Sequence, residues 1–385
     1  MILDKKIHMH VNFETLEESA KLQFDECCSQ LFVTEAALMP DAHSGYVAPI
    51  GSVIKTKFAI VPSWVGYDIG CGMIAIKISD HKDIQDIIKK YSKDLFDEIN
   101  RTIPMGAGRH NENMDDVREI YQMDIALDRL SEKTINSKLF NTVKNLSPKN
   151  LGTLGSGNHF IEILECKDET WLVIHSGSRG VGHYIGTYFM KEVSGLEKGF
   201  EATYAITEPE MKLEYMAYQE YCLDFALINR LSMAEKVSEA INLITSYYYS
   251  TVLNLWCNKN HNHCIELEPD VYLHRKGATS SDLDELGVIP ANMRDGCFLV
   301  RGLGNQEFLN SSSHGAGRRL SRGEANKTIT LETFQDQMKG IVAPVNKRTI
   351  DESPGAYKNI FDVMEIQKRS VEVIKHLKPI INWKG

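Results

Sequence analysis

A carboxylate and a thiol stand three residues apart in a glycine turn of the chain. The stretch VGYDIGCGM (65–73) holds Asp68 and Cys71 between glycines. The alternating and β-branched residues before and after it predict strands, and glycine allows the sharp backbone that a turn between them needs. Carboxylates and thiolates both bind divalent metal ions. The turn therefore predicts a metal site, provided that other parts of the chain supply further ligands.

Further stretches carry histidine at the end of an apolar run or beside glycine. His159 follows the glycine loop LGTLGSGN, His175 ends the run WLVIH, and HNH supplies His261 and His263. A lone buried histidine is usually structural, but histidines at successive strand ends indicate a site. With an acid and a thiol they favour zinc first. Two ions sharing one thiolate would account for more ligands than one tetrahedral ion uses, and either His261 or His263 could complete the set.

A third glycine loop, SSSHGAGRR, places His314 beside arginines. A loop histidine that binds no metal can act as a nucleophile and form a phosphoramidate. Cationic side chains and serine–glycine loops, which can form anion nests, also suit phosphate. The candidates of this kind are Arg109, His110, Arg179, His274, Arg275, Lys276, Arg318 and Arg319. Asp41 and His43 follow an apolar run and are either active-site groups at a strand end or a turn acid with a solvent histidine.

The elements that would position these groups mix helices with strands. An exposed edge strand is expected over residues 1–14, where His8 and His10 alternate. Helices are predicted over 15–31 with a Thr15–Glu18 capping box, over 80–101, twice within 116–150, over 207–256 ending near Trp256 and Cys257, and once before a short C-terminal strand that ends at Lys384, while 103–115 is predicted to be a loop. No repeat or composition break is visible, so we expect one domain.

Composition narrows the class of protein. Hydrophobic residues make up 43% and charged residues 25% of the 385 positions, as in a globular protein with a full core. The first residues show no signal peptide and no long apolar run predicts a membrane span. Eight cysteines without a CxxC pair favour free thiols in the cytoplasm. The net charge of −9 argues against a large sequence-independent nucleic-acid surface, but not against a small cleft that contains arginines.

At these motifs the chain resembles the RtcB family of RNA ligases, from about Met39 to Gly385. The motifs are MPDAH, VGYDIGCGM, GTLGSGNHFIEI, HSGSRGVGH, HN at 261–262, HRKGAT, SHGAGR, AYK at 356–358 and the final KG. So many ordered motifs at matching intervals make chance resemblance remote. The resemblance implies a single α+β domain over 1–385, in which β-sheets surround a deep cleft for two Mn²⁺ ions and a guanine nucleotide. It also implies that the protein is a monomer.

The same resemblance assigns roles to individual residues. Asp68, Cys71 and His159 would bind one ion, and Cys71 would bridge to a second ion that His175 and His261 complete. His314 would be the nucleophile that takes GMP from GTP. Residues assigned to the nucleotide are Asn158, His159, Phe160, Ile161, Glu162, His261, Asn262, Pro290, Ala291, Asn292, Met293, Cys297, His314, Gly315, Ala316, Gly317 and Lys384, with Tyr357 nearby. Arg179 is a candidate for the RNA phosphate.

The implied reaction joins an RNA 3′-phosphate or 2′,3′-cyclic phosphate to a 5′-hydroxyl, in RNA repair or tRNA splicing. Four motifs depart from the family pattern: PANMR replaces PGSMG, HSGYV replaces HxGKG, Cys297 replaces a serine and Ser313 replaces a cysteine. These changes leave open a metal-dependent cyclic phosphodiesterase or phosphoesterase that does not ligate. A non-catalytic RNA-binding protein is the third class, and the acidic charge and the complete ligand set argue against it.

Overall fold

The computed structural model of the protein describes residues 5–12, 14, 16–111 and 117–385. Its helices are α1 (Glu18–Ser29), α2 (Pro62–Val65), α3 (Lys82–Lys90), α4 (Ser92–Thr102), α5 (Val117–Lys133), α6 (Ser137–Asn150), α7 (Arg179–Ser194), α8 (Pro209–Thr245), α9 (Arg322–Thr328), α10 (Leu331–Gln337) and α11 (Ile360–Ile366). Its strands are β1 (Lys6–Met9), β2 (Val33–His43), β3 (Ile50–Lys57), β4 (Gly72–Ser79), β5 (Phe160–Cys166), β6 (Glu169–Ser176), β7 (Leu255–Asn260), β8 (Asn262–Glu268), β9 (Val271–Lys276), β10 (Ala278–Ser280), β11 (Leu286–Pro290), β12 (Cys297–Gly302), β13 (Ser311–Ser313) and β14 (Val371–Lys384).

The larger sheet has seven strands in the order β11-β12-β14-β5-β6-β4-β7. Its two edge strands approach each other, and an ion pair joins Lys259 on β7 to Glu285 beside β11, so the sheet is a nearly closed barrel. Along β4, Met73 and Ala75 pack in the interior with side chains from the other strands, while Ile74 and Ile76 pack on the outer face under α3, α4 and α8. The two-residue period of the strand therefore separates an inner core from a helix-covered one.

The smaller sheet has five strands in the order β1-β2-β3-β9-β8, with β1 parallel to β2 and the other pairs antiparallel. A single residue, His261, separates β7 of the barrel from β8 of this sheet. Gly277 similarly separates β9 from β10, which pairs with β13 just before His314. The chain thus crosses between the sheets at the residues predicted to do chemistry, and the cleft forms there.

The helix α8 is the longest, with 37 residues, and it packs on two clusters. Its first half contributes Tyr215, Tyr218 and Phe225 to a core shared with α5, α6 and α7. Its second half contributes Val237 and Ile241 to the outer face of the barrel. Because its two halves bury apolar groups in these two clusters, α8 is the central helix of the helical layer.

Several sequence predictions about the fold are confirmed. The protein mixes helices and sheets as expected, β1 lies at a sheet edge, and two helices occupy the segment predicted for them, as α5 and α6. All eight cysteines are free thiols. Among the described helices, none combines the length and apolar character needed to span a membrane. Thr15 of the predicted capping box and residues 1–4, 13 and 112–116 lie outside the described residues, and the single domain over 1–385 stays a prediction.

Other predictions about the elements were wrong. The segment 80–101 is two helices, α3 and α4, which meet at Tyr91. Helix α8 ends at Thr245, because Ser246 takes a left-handed conformation. Trp256 and Cys257 lie in β7, a strand that pairs with β4. Tertiary pairing thus overrides the helical pattern there.

The segments after His175 and at the C-terminus also differ from expectation. The predicted serine–glycine loop is short, because helix α7 already begins at Arg179. The last strand, β14, is long, with 14 residues. A register shift next to Pro379 accommodates a residue that cannot donate to the ladder, so the strand continues past it.

Candidate metal and nucleotide site

The five predicted metal ligands lie side by side in the folded protein. The Cys71 Sγ atom lies 3.3 Å from Nε2 of His159 and 3.2 Å from Nε2 of His175. On one side, His159 Nε2 lies 3.0 Å from an Asp68 carboxylate oxygen. On the other, His175 Nε2 lies 3.3 Å from Nε2 of His261. The donor atoms therefore form a continuous row with Cys71 at its centre.

The spacing of these donor atoms fits shared metal ions. The ligand atoms of Cys71, His159 and His175 lie within 4.8 Å of one another, and all three residues are buried. Donors bound to one tetrahedral ion at about 2.0–2.3 Å stand roughly 3.3–3.6 Å apart. His159 donates its Nδ1 hydrogen to the Leu154 carbonyl at 3.0 Å, which directs the lone pair of Nε2 toward Cys71. These three residues form a candidate Cys–His–His metal site.

The protonation states of the ligands suit a metal as well. Burial holds the pKa values of His175 and His261 well below the ordinary value, so both imidazoles are neutral and have a free lone pair. Burial, followed by the Asp68 charge, raises the pKa of the Cys71 thiol, and a bound cation would reverse that shift. Burial also favours protonated Asp68, but His159 and Arg179 outweigh it and hold the pKa of Asp68 below its ordinary value.

Strand register explains why residues so distant in sequence meet. Gly72 pairs with Ser176 on β6 and with Asn260 on β7, and Phe160 on β5 pairs with His175. Cys71, His159 and His261 are the neighbours of these paired residues, so adjacent strands bring them to the same end of the barrel. Glycine is required at position 72, because a Cβ there would overlap the backbone and side chain of the opposing β7 strand.

Arg230 of α8 supports this end of the barrel from beneath. Its guanidinium donates to the carbonyl oxygens of Gly70 (3.2 Å) and Ser176 (2.7 Å). It also donates to the side-chain oxygens of Asn258 (2.7 Å) and Asn260 (3.0 Å). The side chain is fully buried and does not line the cleft. One cation therefore fixes the backbone next to three of the ligands.

Replacing Arg230 with methionine is expected to weaken metal binding by about 10- to 100-fold, the usual cost of losing a residue that orients metal ligands. Methionine fills similar space but leaves two buried carbonyls and two amide side chains without their donor. Equilibrium dialysis of the purified protein measures this affinity directly. Lysine at position 230 keeps the charge but not the fork of donors, so it should restore only part of the affinity. Unchanged affinity in the methionine variant would contradict this role.

His314 lies beside the ligand cluster and is held by a buried acid. Its Nδ1 atom lies 2.7 Å from a carboxylate oxygen of Asp41, which is fully buried. The ring of His314 stands 4.7 Å from the ring of His261. Because the carboxylate holds the proton on Nδ1, the lone pair of the neutral ring is on Nε2. Asp41 is thus one of the strand-end groups that the sequence left undecided, and the structure pairs it with His314.

The glycine loop after His314 approaches β2 very closely. Gly317 has a positive φ of 73°, and a Cβ at this position would overlap the carbonyl oxygen of Asp41. Lys358, which follows the Tyr357 of the AYK motif, donates to the carbonyl of Ala42 at 2.5 Å. Glycine at 317 is therefore what lets His314 reach Asp41.

A cleft of about 640 Å³ opens above these groups, within the usual size range of ligand sites. Asp68, Cys71, His175, His261 and His314 line it, and His159 lies just behind them. The residues assigned to the nucleotide that also line it are Asn158, Phe160, Glu162, Asn262, Pro290, Ala291, Asn292, Gly315, Ala316, Gly317 and Lys384, with Tyr357 nearby as expected. The structure therefore brings most of the predicted site residues to one cavity.

Besides His159, the structure places three more side chains assigned to the nucleotide outside the cleft lining. Ile161 packs on the helix-covered face of the barrel, because it alternates with Phe160 and Glu162 along β5. Met293 packs with Phe334 and Met338 in a separate core. Cys297 lies in the barrel interior, where its thiol donates to Glu162 at 3.4 Å. These three residues could affect a nucleotide in the cleft only through their backbone atoms or through the residues next to them.

The cationic candidates separate in a similar way. Lys276 lines the cleft and donates to the carbonyl of Val65 at 2.8 Å. Arg275 is instead buried against Ser311 and His263. Because His263 contacts Arg275 and does not line the cleft, His261 is the candidate ligand of the two. Arg179 packs against Gly155, with a guanidinium nitrogen 3.3 Å from Nδ1 of His159, and does not line the cleft. Arg109 and His110 are exposed, while His274 is buried and accepts a hydrogen bond from the Val61 amide at 3.0 Å.

Two buried carboxylates affect the charge around the cleft residues assigned to the nucleotide. Burial raises the pKa of Glu162 to about 7, although the Lys384 ammonium opposes the shift. Glu352, which the sequence analysis missed, is also buried and accepts hydrogen bonds from the hydroxyl of Tyr357 (2.6 Å) and the ammonium of Lys384 (3.0 Å). It also pairs with Arg322 at 2.7 Å. Its only signal in the sequence was its position five residues before Tyr357, inside DESPGAYK.

Fold and site together define a candidate metalloenzyme, in which a barrel-like sheet holds Cys, His and Asp ligands beside an acid-paired histidine. The family model described as "tRNA-splicing ligase RtcB" matches residues 23–385. The RNA-splicing ligase RtcB of Escherichia coli K12 is 35% identical over 96% of this chain and 95% of its own length. The tRNA-splicing ligases RtcB of Nanoarchaeum equitans and Methanococcus maripaludis are 26% and 27% identical, each over 92% of this chain and 88% of their own. The chain belongs to the RtcB family, which confirms the resemblance inferred from its motifs.

Proposed function

We propose that this protein is an RNA ligase that uses GTP to join an RNA 3′-phosphate or 2′,3′-cyclic phosphate to a 5′-hydroxyl. Membership of the RtcB family and the names of its curated relatives support ligation. The observation that carries the chemistry is the contact between Asp41 and His314 at the rim of the ligand cluster. RNA repair or tRNA splicing, as a cytoplasmic monomer, is the corresponding cellular role.

The proposed metal content is two Mn²⁺ ions. Asp68, Cys71 and His159 would hold one ion, and His175 and His261 the other, with the Cys71 thiolate shared. When bound, the ions offset the negative charge of phosphate groups in the cleft. The preference for manganese follows the family resemblance, since the donor set would suit zinc equally well.

His314 is the proposed nucleophile. Its Nε2 lone pair attacks the α-phosphorus of GTP, so an N–P bond forms, the bond from the α-phosphorus to the bridging oxygen breaks, and pyrophosphate leaves. Asp41 keeps the proton on Nδ1 and balances the positive charge that the ring acquires. Where the RNA ends in a 2′,3′-cyclic phosphate, water first opens the ring to a 3′-phosphate. The guanylate then passes to an oxygen of the RNA 3′-phosphate as the N–P bond to His314 breaks, which frees the imidazole ring and turns the 3′-phosphate into an activated anhydride. Attack by the 5′-hydroxyl forms the new phosphodiester and releases GMP.

The wall that contains Glu162 offers a reason for GTP over ATP. Its buried carboxyl is held from behind by Asn382 and by Cys297, and it lines the cleft. In its ionised form, which Lys384 favours against the effect of burial on its pKa, the Glu162 carboxylate only accepts hydrogen bonds, and this matches the two adjacent N–H donors on the edge of guanine. Adenine presents an acceptor at the corresponding ring nitrogen and would leave the carboxylate opposed by a lone pair. Lys384 and Tyr357 lie nearby and complete the proposed nucleotide wall.

Ligation of a cleaved RNA with defined ends tests the proposal. The substrate carries a 2′,3′-cyclic phosphate or 3′-phosphate on one strand and a 5′-hydroxyl on the other, and Mn²⁺ is supplied with either GTP or ATP. We expect joined product with GTP and little with ATP. A matched RNA with a 3′-hydroxyl and a 5′-phosphate is the control and should not be joined. Failure of the metal-loaded protein to join the first RNA, or equal joining with ATP, would refute the proposal.

A phosphoesterase that opens cyclic phosphates but does not ligate is the second candidate. The changes at Ala291, Asn292 and Cys297 favour it, because all three lie in or beside the nucleotide wall. Such an enzyme would keep the ligand cluster and lose nucleotide binding. It would convert the cyclic end to a 3′-phosphate in the same assay without forming joined RNA or requiring GTP.

A further inference from the structure

Part of the cleft lining is used by neither the proposed metal site nor the proposed nucleotide site. It is a short loop after β2 that contains Ser44, Gly45 and Tyr46. Tyr46 is 80% exposed although it stands at a cleft that holds the reactive groups. In the family pattern HxGKG this position is lysine, so the aromatic ring is a departure of this chain. A large exposed aromatic ring that lines a cleft is a candidate contact for a ligand.

The loop presents this ring rigidly. The backbone amide and hydroxyl of Ser44 both donate to the Glu17 carboxylate, with the amide at 3.0 Å. The side chain of Gln23 brackets Gly45, accepting from its amide at 3.0 Å and donating to its carbonyl at 2.8 Å. Both anchoring side chains come from α1 or the residue just before it. The conformational entropy lost when a ligand stacks on Tyr46 is therefore small.

A second and a third ring support the first one. Tyr46 meets Tyr67 edge-to-face with ring centroids 5.9 Å apart. Tyr67 in turn stacks on His183 of α7 at 4.7 Å, with the ring planes within 15°. The hydroxyl of Tyr67 donates to Glu201. Tyr67 is thus held in place by both of its neighbours, which leaves Tyr46 as the ring that is free to take a ligand.

The charges near this platform indicate which part of a nucleic acid it would contact. Glu17 anchors the loop and Glu201 anchors Tyr67, so two carboxylates lie beside the rings. Phosphate groups would be repelled there, whereas the face of an uncharged base would not. Aromatic side chains that stack bases are the common device for holding single strands without sequence preference.

We propose that Tyr46, held by Tyr67 and His183, is a stacking platform for a base of the single-stranded RNA whose end enters the cleft. The identity of the strand rests on the proposed function, while the platform itself rests on the ring geometry. The family's lysine offers a charge at this position, whereas this ring offers a face on which an uncharged base can stack. The chain therefore selects RNA ends whose terminal bases are unpaired.

Binding of short fluorescent RNAs, measured by anisotropy at equilibrium, tests the platform. One RNA ends in a 3′-phosphate and one begins with a 5′-hydroxyl, and each is compared with copies that lack a single base at successive positions. We expect one missing base near the end of at least one RNA to weaken binding by about 5- to 100-fold. Since these measurements use the unaltered protein, they do not depend on the folding of any variant. Equal affinity at every position for both RNAs would overturn the proposal.

Variants connect that base to the ring. Tyr46→Ala should weaken binding by a similar factor and abolish the effect of the missing base, whereas Tyr46→Phe should bind as the natural protein does. Tyr46→Lys should bind with a steeper dependence on salt. Tyr121→Ala removes a 66% exposed tyrosine of α5 outside the cleft and is the matched control. Additive losses from the missing base and from Tyr46→Ala would overturn the assignment to this ring.

Labelling of the protein by α-labelled GTP without RNA reports on the proposed ligase function separately. If GTP does not label the protein, but the losses of RNA affinity from the missing base and from Tyr46→Ala are not additive, the platform is supported and the ligase function is not. If GTP labels the protein and the two losses are additive, the ligase function is supported and the platform is overturned.

Discussion

Replacement of His314 with alanine should abolish the covalent attachment of GMP and leave the metal ions bound. The alanine variant lacks the nitrogen that would form the N–P bond, and loss of a nucleophile costs roughly 10⁴-fold or more in rate. The five proposed ligands do not include this side chain, and the nearest of them, His261, contacts it only ring to ring. Acid-labile labelling by α-labelled GTP in the presence of Mn²⁺ measures the attachment, and elemental analysis measures the metal.

Two further variants make this result specific. His81→Ala removes an exposed histidine before α3, outside the cleft, and should label normally. Asp41→Asn keeps the shape of the acid but can no longer balance the charge on the ring, so labelling should slow markedly without disappearing. Labelling of the His314→Ala protein at the natural rate would show that another residue is the nucleophile. Loss of metal in that variant would instead place His314 in the ligand set.

The candidate ligands could be recognised in the sequence because their chemistry and their positions agree. Asp68 and Cys71 stand in one glycine turn, and His159 and His175 stand at the ends of apolar runs, where strands place active-site groups. Each of these residues is marked by the pattern of its own stretch of sequence, so every stretch was informative by itself. The choice of His261 over His263 needed the family resemblance, and the structure supports it by turning His263 toward Arg275.

The supporting residues could not be predicted in the same way. Arg230 contacts Gly70, Ser176 and Asn260, which come from three segments far apart in sequence, so only the folded register brings them together. Glu352 similarly gathers Lys384 and Arg322 from two other segments. Nothing in the local pattern of α8 distinguishes a buried arginine that braces a site from one at its surface. Such roles follow from tertiary contacts rather than from periodicity.

One assignment could have been narrowed from the sequence. The family resemblance assigns the continuous run from Asn158 to Glu162 to the nucleotide, although the apolar run FIEIL from Phe160 onward has the pattern of a strand. Side chains alternate across a strand, so Phe160 and Glu162 face one side and Ile161 must face the other. The structure shows this alternation, with Ile161 under the helices. When a family motif is transferred residue by residue, the alternation of side chains along its strand therefore has to be considered before each side chain is given a role.

Cys71→Ala should lose both metal ions, whereas the loss of a terminal ligand should chiefly affect one. Sγ of Cys71 is the atom in contact with ligands on both sides, His159 at 3.3 Å and His175 at 3.2 Å. Removing it takes a charged donor from each proposed ion and leaves only two donors on each side, Asp68 with His159 and His175 with His261. Titration with Mn²⁺, followed by elemental analysis after dialysis, counts the ions. Cys28→Ala, which removes a partly exposed thiol of α1, is the control and should keep both.

The comparison with His159→Ala and His261→Ala decides whether the thiolate is a bridge. If two ions share Cys71, each histidine variant should weaken one binding step and leave the other measurable, while the cysteine variant weakens both. If the cluster holds a single ion, all three variants should lower the same step, and the natural protein should bind one equivalent. Two ions retained by the Cys71→Ala protein would contradict the bridge outright. The geometry favours two ions that share Cys71. The row of donors from Asp68 to His261 extends on both sides of the sulfur, so the donors do not surround one point as the ligands of a single tetrahedral ion would.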